Sequence, residues 1–169
     1  QPSLSVTAHA IHALALLGKP AEHAHSYLRE RQHADGSWRG DKWNGSWLYT
    51  TCHTLAALLS TEHSELTAVL ASIRASQRAD GGWGLICSSS EETAYAVVAL
   101  LLVARAGALP AEGRATLKRA ATFLEQRYRP FTEETTAVWL AKEPYRPRRV
   151  SRAFEISALL ALAIEGYVA

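Results

Sequence analysis

Methionine is missing altogether from the 169 residues, the first position included, so the chain reads as an excised or proteolysed piece with Gln1 at a cut site. Cysteine is nearly missing. Cys52 and Cys87 are too few for a disulfide framework and lack metal-type spacing, and both read as core thiols in a reducing cytoplasm. No apolar run approaches the ~20 residues that a membrane-spanning helix needs, and no signal sequence opens the chain. A cytoplasmic protein with no transmembrane segment is the expectation. A formal net charge of +2, carried mainly by arginine against scattered acids and with no basic stripe between aromatics, argues against a nucleic-acid partner. What remains is the length of one domain, enough to bury a sizeable core.

Against these absences stands a repeat. Gln32-His33-Ala34-Asp35-Gly36-Ser37-Trp38 returns 45 residues later as Gln77-Arg78-Ala79-Asp80-Gly81-Gly82-Trp83, each copy leading from one helical run to the next. A glutamine at a helix end, an Asp-Gly turn that uses glycine's access to φ > 0, and a tryptophan folded back over the turn make a local clamp. The amide is expected to cap frayed helix carbonyls and the indole to cover them. Gln32, Asp35, Trp38, Gln77, Asp80 and Trp83 are therefore structural. A period of about 45 residues is that of repeated helical hairpins, as in HEAT-like arrays.

Helices are expected over 3–17 (capped by Ser3 or Ser5, stopped at Gly18-Lys19-Pro20), 21–31, 49–59, 64–76, 91–106 (capped by Ser90), 112–127 and 149–166. Residues 36–46 read as loop, and Pro144 and Pro147 discourage helix between them. The first run is apolar on nearly every face and reads as buried all round. Gln126 with Arg129-Pro130-Phe131 reads as a third, decayed turn. Aligning the more apolar, inner runs puts His9, His53, Tyr95 and Phe154 in one register near four helix starts. Parallel inner helices would bring all four to the same end, where a pocket is expected.

The Gln-x-x-Asp-Gly-x-Trp pattern resembles the QW repeat of the terpenoid cyclases. Four further segments are similar to the bacterial class II diterpene cyclases, the copalyl diphosphate synthase group: Trp38-Arg39-Gly40-Asp41-Lys42-Trp43, Trp47-Leu48-Tyr49-Thr50-Thr51, Glu91-Glu92-Thr93-Ala94-Tyr95 and Val138-Trp139-Leu140-Ala141-Lys142-Glu143-Pro144-Tyr145. The resemblance implies an all-α, α/α-toroid fold of inner and outer helices, with residues 1–169 a single helical domain and an incomplete barrel from the C-terminal part of a β-type catalytic domain. The Asp-x-Asp-Asp acid that starts catalysis in this group is absent from these residues, so it and the second domain are expected elsewhere. The implied activity is that of an intramolecular lyase, an isomerase: protonation-initiated cyclisation of geranylgeranyl diphosphate to a copalyl-type diphosphate. Magnesium is the implied cofactor. A prenyl diphosphate and the missing N-terminal part of the same enzyme are the implied partners, and the isolated piece is expected to be inactive.

Each site candidate has a plainer alternative. Lys42 is by residue type a solvated loop lysine; the resemblance implies that it holds the substrate diphosphate, which a three-donor ammonium suits. Arg39 is a second cation there. Lys142, within Trp-x-x-Lys-x-x-Tyr, steadies the diphosphate end or braces a loop. Arg146, Arg148, Arg149 and Arg152 form a solvated run or a positive rim, with Arg149 carried as substrate-binding. Glu91 and Glu92 suit the positive end of a helix dipole, or one of them faces the rim and orients a water, a lysine or magnesium. Trp43, Trp47, Tyr49, Tyr95 and Phe154 are core, or π-faces lining a pocket for a carbocation. His9 and His53 are core histidines, or a terminal base or water holder, and His53 is carried among the substrate-binding residues.

Two rival readings share the toroid. A protein prenyltransferase β-subunit would need zinc on Asp, Cys and His, and Cys87 followed by three serines does not resemble that site. A non-enzymatic binding module like the complement thioester domains would carry a Cys-Gly-Glu-Gln segment, which is absent.

Overall fold

The computed structural model describes residues 2–59, 66–127 and 137–168. Seven helices occupy them: α1 (Leu4–Leu16), α2 (Glu22–Glu30), α3 (Trp47–Leu59), α4 (Thr67–Ala75), α5 (Ser90–Arg105), α6 (Ala111–Arg127) and α7 (Arg148–Ile164). α1, α3, α5 and α7 stand side by side in that order; α2 lies against α1, α6 against α5 and α7, and α4 beside α6. Tyr95 of α5 meets Phe154 of α7 near the helix starts, with ring centroids 4.8 Å apart, while Arg105 and Glu165 pair at the helix ends at 3.1 Å. These two helices are therefore parallel. The contacts His9–His53 at 4.3 Å and Tyr49–Tyr95 at 5.3 Å carry the same register across α1, α3 and α5.

Local chemistry places the helix starts. Ser3 caps α1, its hydroxyl accepting from Val6 N at 3.3 Å. Ser89, not Ser90, caps α5: it has the extended backbone that a capping residue needs and accepts from Glu92 N at 3.1 Å. α7 begins directly after Pro147. Residues 64–65 of the expected fourth helix and the proposed third turn at Arg129-Pro130-Phe131 lie outside the described residues, whereas Gln126 belongs to α6.

The expectation that the first helix is buried all round is corrected. Leu16 of α1 is 80 % exposed and Val6 and Leu17 are exposed too, because α1 has α3 and α2 on two sides and no further inner helix among the described residues. α7, at the other edge, exposes Leu160 and Ile164. It is central α5, flanked by α3, α6 and α7, that is buried on nearly every face, its Ala94, Ala96 and Ala99 allowing close approach. Nor is the chain wholly helical. β1 (Trp139–Leu140) and β2 (Pro144–Tyr145) form a short antiparallel hairpin. Proline at 144 and 147 disfavours helix there. Residues 43–45 run antiparallel alongside β1, Gly45 N donating to Val138 O at 2.7 Å and Leu140 N to Trp43 O at 2.9 Å.

The two repeated turns are copies in atomic detail, but the roles inside them are exchanged relative to expectation. The indole caps the helix: Trp38 Nε1 donates to Leu28 O at 2.7 Å and Trp83 Nε1 to Ile73 O at 2.8 Å. The glutamine closes the turn, Gln32 donating to Gly36 O at 3.0 Å and Gln77 to Gly81 O at 2.8 Å. A rigid indole N–H reaches a carbonyl inside the last helical turn, which the shorter amide, bent towards the loop, does not. Asp35 and Asp80 each accept from the backbone two residues on. Each turn also abuts the next outer helix. A Cβ on Gly36, at φ +80°, would strike the Val69 amide of α4, and one on Gly81, at φ +88°, would lie 2.5 Å from Arg119 O of α6.

Both tryptophans are fully buried, so Trp83→Ala is expected to destabilise the protein by about 3–5 kcal/mol in urea unfolding. Gly81→Ala combines a left-handed backbone with a backbone clash and should cost about 2–4 kcal/mol, whereas Gly18→Ala, where φ is also positive but nothing lies within 4 Å, should cost only the backbone term of about 1 kcal/mol.

Candidate functional site

At the N-terminal end of the inner helices, the aligned residues form one aromatic cluster. Tyr49 stands at its centre, 4.5 Å from His53, 5.3 Å from Tyr95, 5.2 Å from Trp139 and 6.4 Å from Phe154, all edge to face. His53 continues the cluster to Phe154 at 5.5 Å and to His9, whose Nε2 is 3.1 Å from His53 Nδ1. Burial pushes the His53 imidazole down to about 4, the neighbouring His9 adding to the effect and Asp41 opposing it. His9 is lowered as well, by burial first and then by His12, with Asp41 opposing. The sequence alignment anticipated His9, His53, Tyr95 and Phe154 at one end; it did not include Trp139, although the quoted Trp-x-x-Lys-x-x-Tyr segment contained it.

Buried carboxylates fasten the loops to this end. Asp41 accepts from Ser3 Oγ (2.8 Å), Ser5 N (3.0 Å), Ser5 Oγ (3.0 Å) and Trp43 N (3.0 Å), tying the 39–46 loop to the start of α1. Burial alone would raise its carboxyl; the bonds from Ser5 and Trp43 N–H and from the two serine hydroxyls outweigh that and hold it below the usual range. Glu92 accepts from Ser46 Oγ at 2.7 Å and Leu85 N at 3.0 Å, joining two loops, and burial raises its carboxyl despite these bonds. Glu91 accepts from Tyr95 Oη at 2.6 Å and Trp139 Nε1 at 2.7 Å, and its Oε2 lies 3.7 Å from Arg146 Nε. Arg146 in turn donates to Glu155 Oε1 at 3.1 Å, so the hairpin is pinned to α5 and α7 together. Both glutamates thus stand in the first turn of α5, as the dipole reading asks, and both anchor loops. The charge that Glu91 meets is an arginine.

The remaining candidates divide. Lys42 is exposed over the Trp43 ring at 5.4 Å, and Trp43 is itself 46 % exposed. Lys142 is exposed on the hairpin. Because residues 43–45 pair with 138–140, Lys42 and Lys142 lie on neighbouring loops, each just beyond the paired strip. Arg149 is exposed in the first turn of α7. Arg39 is occupied within the repeated turn, bonding Ser37 at 2.8 Å and pairing with Asp35, while covering the Trp47 ring at 5.6 Å. Tyr95 is fully buried and backs the cluster. Asp41, Arg146 and Glu155 became legible as anchors only in three dimensions, their partners lying 36, 55 and 9 positions away.

The reading of two core thiols is half corrected. Cys52 is buried, its thiol pushed up to about 12, but Cys87 is exposed in the loop before α5, where Gly84 and Ile86 carbonyls are held by Arg78. Among the described residues no three His, Cys, Asp or Glu side chains come together to hold a metal ion, and the carboxylates nearest the cluster are engaged as above. These residues do not fit a magnesium or a zinc site. His53 gives a sign for pH. Between its ordinary 6.5 and about 4, the unfolded chain takes up a proton that the folded one refuses, so stability falls as pH falls across that window. At pH 5 the loss relative to pH 7 should be about 2 kcal/mol, visible as a lower urea midpoint and reduced in His53→Phe.

The chain matches known proteins over the same turns and cluster. The family model for the Squalene-hopene cyclase C-terminal domain covers residues 1–127. (+)-Kolavenyl diphosphate synthase of Herpetosiphon aurantiacus is 45% identical over 166 residues, which make up 97% of this chain and 32% of that protein. Copalyl diphosphate synthase of Streptomyces cyslabdanicus is 31% identical over 172 residues, 93% of this chain and 32% of that one. Among solved structures, ent-copalyl diphosphate synthase from Streptomyces platensis superposes with a TM-score of 0.81 at 29% identity, over 95% of this chain and 33% of its own. The chain spans about a third of the length of these relatives. Repeated Gln-Asp-Gly-Trp turns, parallel inner helices with a second helical layer outside, and the matched family model agree: this chain belongs to the squalene-hopene cyclase C-terminal domain family and forms an arc of its α/α toroid.

Proposed function

We propose that the chain is part of the catalytic domain of a bacterial class II diterpene cyclase, which converts geranylgeranyl diphosphate to a copalyl-type diphosphate by protonation-initiated cyclisation with the diphosphate retained. The observation that carries this is the joining, at one end of the arc, of an aromatic wall to two paired loops that each bear an exposed lysine. A cation running through a folded polyene needs a dry, apolar space bounded by π-faces, and an anionic headgroup needs cations at the mouth of that space. Tyr49, Trp139 and Phe154 supply wall with Tyr95 behind them, and His53 borders it. Lys42 and Lys142 take the diphosphate, with Arg149 as a further cation and Trp43 and Trp47 at the entrance. The carboxylic acid that delivers the first proton belongs to another part of the enzyme, and this stretch alone is inactive. No magnesium ligand is assigned to the described residues. A cytoplasmic setting fits, and no described helix is long and apolar enough to cross a membrane.

The 45% identity to a kolavenyl diphosphate synthase favours a second reading of the product, a kolavenyl-type rather than a copalyl-type diphosphate. Product analysis with geranylgeranyl diphosphate separates the two.

In the cyclase that carries this chain, Lys42→Ala should lower kcat/KM by roughly ten- to a hundredfold while leaving the melting profile unchanged, since a lost charge-assisted contact costs about 1.5–3 kcal/mol. Lys42→Arg should recover part of the loss, and Lys19→Ala, at a helix stop remote in sequence from both loops, should be nearly silent. A Lys42→Ala enzyme as active as the Lys19→Ala control returns Lys42 to the status of a solvated loop residue.

A further inference from the structure

Glu91 places a charge where a neutral acceptor would hold the same bonds. It is buried in the first turn of α5, and a single oxygen, Oε1, accepts from both Tyr95 Oη at 2.6 Å and Trp139 Nε1 at 2.7 Å. Its other oxygen has no hydrogen-bond donor among the described residues. Arg146 Nε stands 3.7 Å from that oxygen, too far for a hydrogen bond, and Arg146 also donates to Glu155 at 3.1 Å. Burying a carboxylate costs far more than burying an amide, and a glutamine oxygen would accept the same two bonds. Pinning the hairpin therefore does not account for the charge. Both donors are rings of the aromatic cluster, and both pack edge to face on Tyr49, at 5.3 Å and 5.2 Å. Burial first, and the charge of Glu91 second, push the Tyr95 hydroxyl up, so it stays protonated and a donor. Trp139 is half-buried, which leaves part of its ring free.

We infer that Glu91 is a positioning residue for the cyclisation: through Tyr95 Oη and Trp139 Nε1 it fixes two rings, draws their donor protons towards its charge and so makes the wall they build more negative. The inference rests on the cyclase reading. An O–H or N–H polarised by a carboxylate returns electron density to its ring, and in low-dielectric surroundings linked hydrogen bonds strengthen one another. The attraction between a cation and a π-face grows with the negative potential of that face and with loss of water. No bond forms or breaks at Glu91, which acts by placement and field alone. The neutral polyene gains little from that field, whereas the charged transition state gains most, so the effect falls on kcat rather than on KM.

The test uses the full-length cyclase carrying this chain and two probes bound by calorimetry, an N-alkyl decahydroquinolinium, cationic at neutral pH, and its uncharged decalin isostere. Glu91→Gln keeps an acceptor oxygen and removes the charge. It should weaken the cationic probe by about tenfold or more and the isostere by less than about threefold. With geranylgeranyl diphosphate it should lower kcat by about tenfold or more while KM stays within about threefold. Glu91→Asp, shorter but charged, should recover part of the preference for the cation. Tyr95→Phe and Trp139→Phe each remove one donor and leave a ring, and each should reduce that preference by a smaller factor. Equal losses for the two probes in Glu91→Gln, or a lower melting midpoint with the preference unchanged, make Glu91 an anchor only; they overturn the inference and leave the cyclase reading intact. Should Glu91→Gln fail to fold, an unchanged preference in both Tyr95→Phe and Trp139→Phe decides against the inference, and a reduced one in either supports it. A parent enzyme that leaves geranylgeranyl diphosphate uncyclised removes the functional reading and this inference together.

Discussion

The bond from Trp38 Nε1 to the Leu28 carbonyl, and its copy from Trp83 to Ile73, hold each repeated turn against the end of the outer helix before it. The same tryptophan backbones receive and donate through a threonine of the next inner helix: Trp38 N donates to Thr51 Oγ1 at 3.1 Å and Trp83 N to Thr93 Oγ1 at 3.0 Å. One residue therefore fixes the end of an outer helix, the shape of a turn and the height of the following inner helix. Because the height is the same in both copies, His53 of α3 arrives level with Tyr95 of α5, with Tyr49 one turn before it. The aromatic cluster is a consequence of that levelling.

Parallel inner helices also gather their positive N-terminal ends in one place, a concentration of like partial charge that needs an answer. Buried acids give it: Asp41 at the start of α1, and Glu91 and Glu92 in the first turn of α5. Each of these groups spends its hydrogen-bonding capacity on the loops, so the same interactions that offset the dipoles hold the 39–46 and 139–145 segments against the helices. Lys42, Lys142 and Arg149 are left exposed around that neutralised centre. Their positive charge is thus kept at the rim, where it costs little desolvation.

Much of this was legible in the chain itself because the information is local. The Gln-x-x-Asp-Gly-x-Trp spacing defines a turn within seven residues, and helix starts recur relative to it, so the register of His9, His53, Tyr95 and Phe154 followed from alignment alone. Exposure was not legible: α1 and α5 have similar apolar content, yet one stands at an edge and the other between neighbours, a difference that composition does not encode. The hairpin escaped because its two-residue strands are too short for a period, and its register depends on pairing with residues 43–45, nearly a hundred positions earlier in sequence. Cys87 was assigned to the core on the general habit of cysteine, whereas the loop that carries it is ordered by a bond that Arg78 donates to Gly84 O and one that Leu85 N donates to Glu92. The anchoring roles of Asp41 and Glu91 were hidden for the same reason as the hairpin: their partners are distant in sequence.

The close approach of each glycine turn to the outer helix of the next repeat has a directional consequence. Gly36 is completed by α4 and Gly81 by α6, and Gln77 also reaches Thr116 of α6 at 3.0 Å, so each turn borrows its last contacts from the repeat that follows it. Stability in such an array is a sum of nearest-neighbour terms, but here the terms point one way along the chain. Loss of α6 would loosen the Gln77–Trp83 turn and with it the level of α5, while loss of α2 would leave the second turn untouched. The arc is accordingly a chain of tiles laid in order, each of which locks only when its successor is set down.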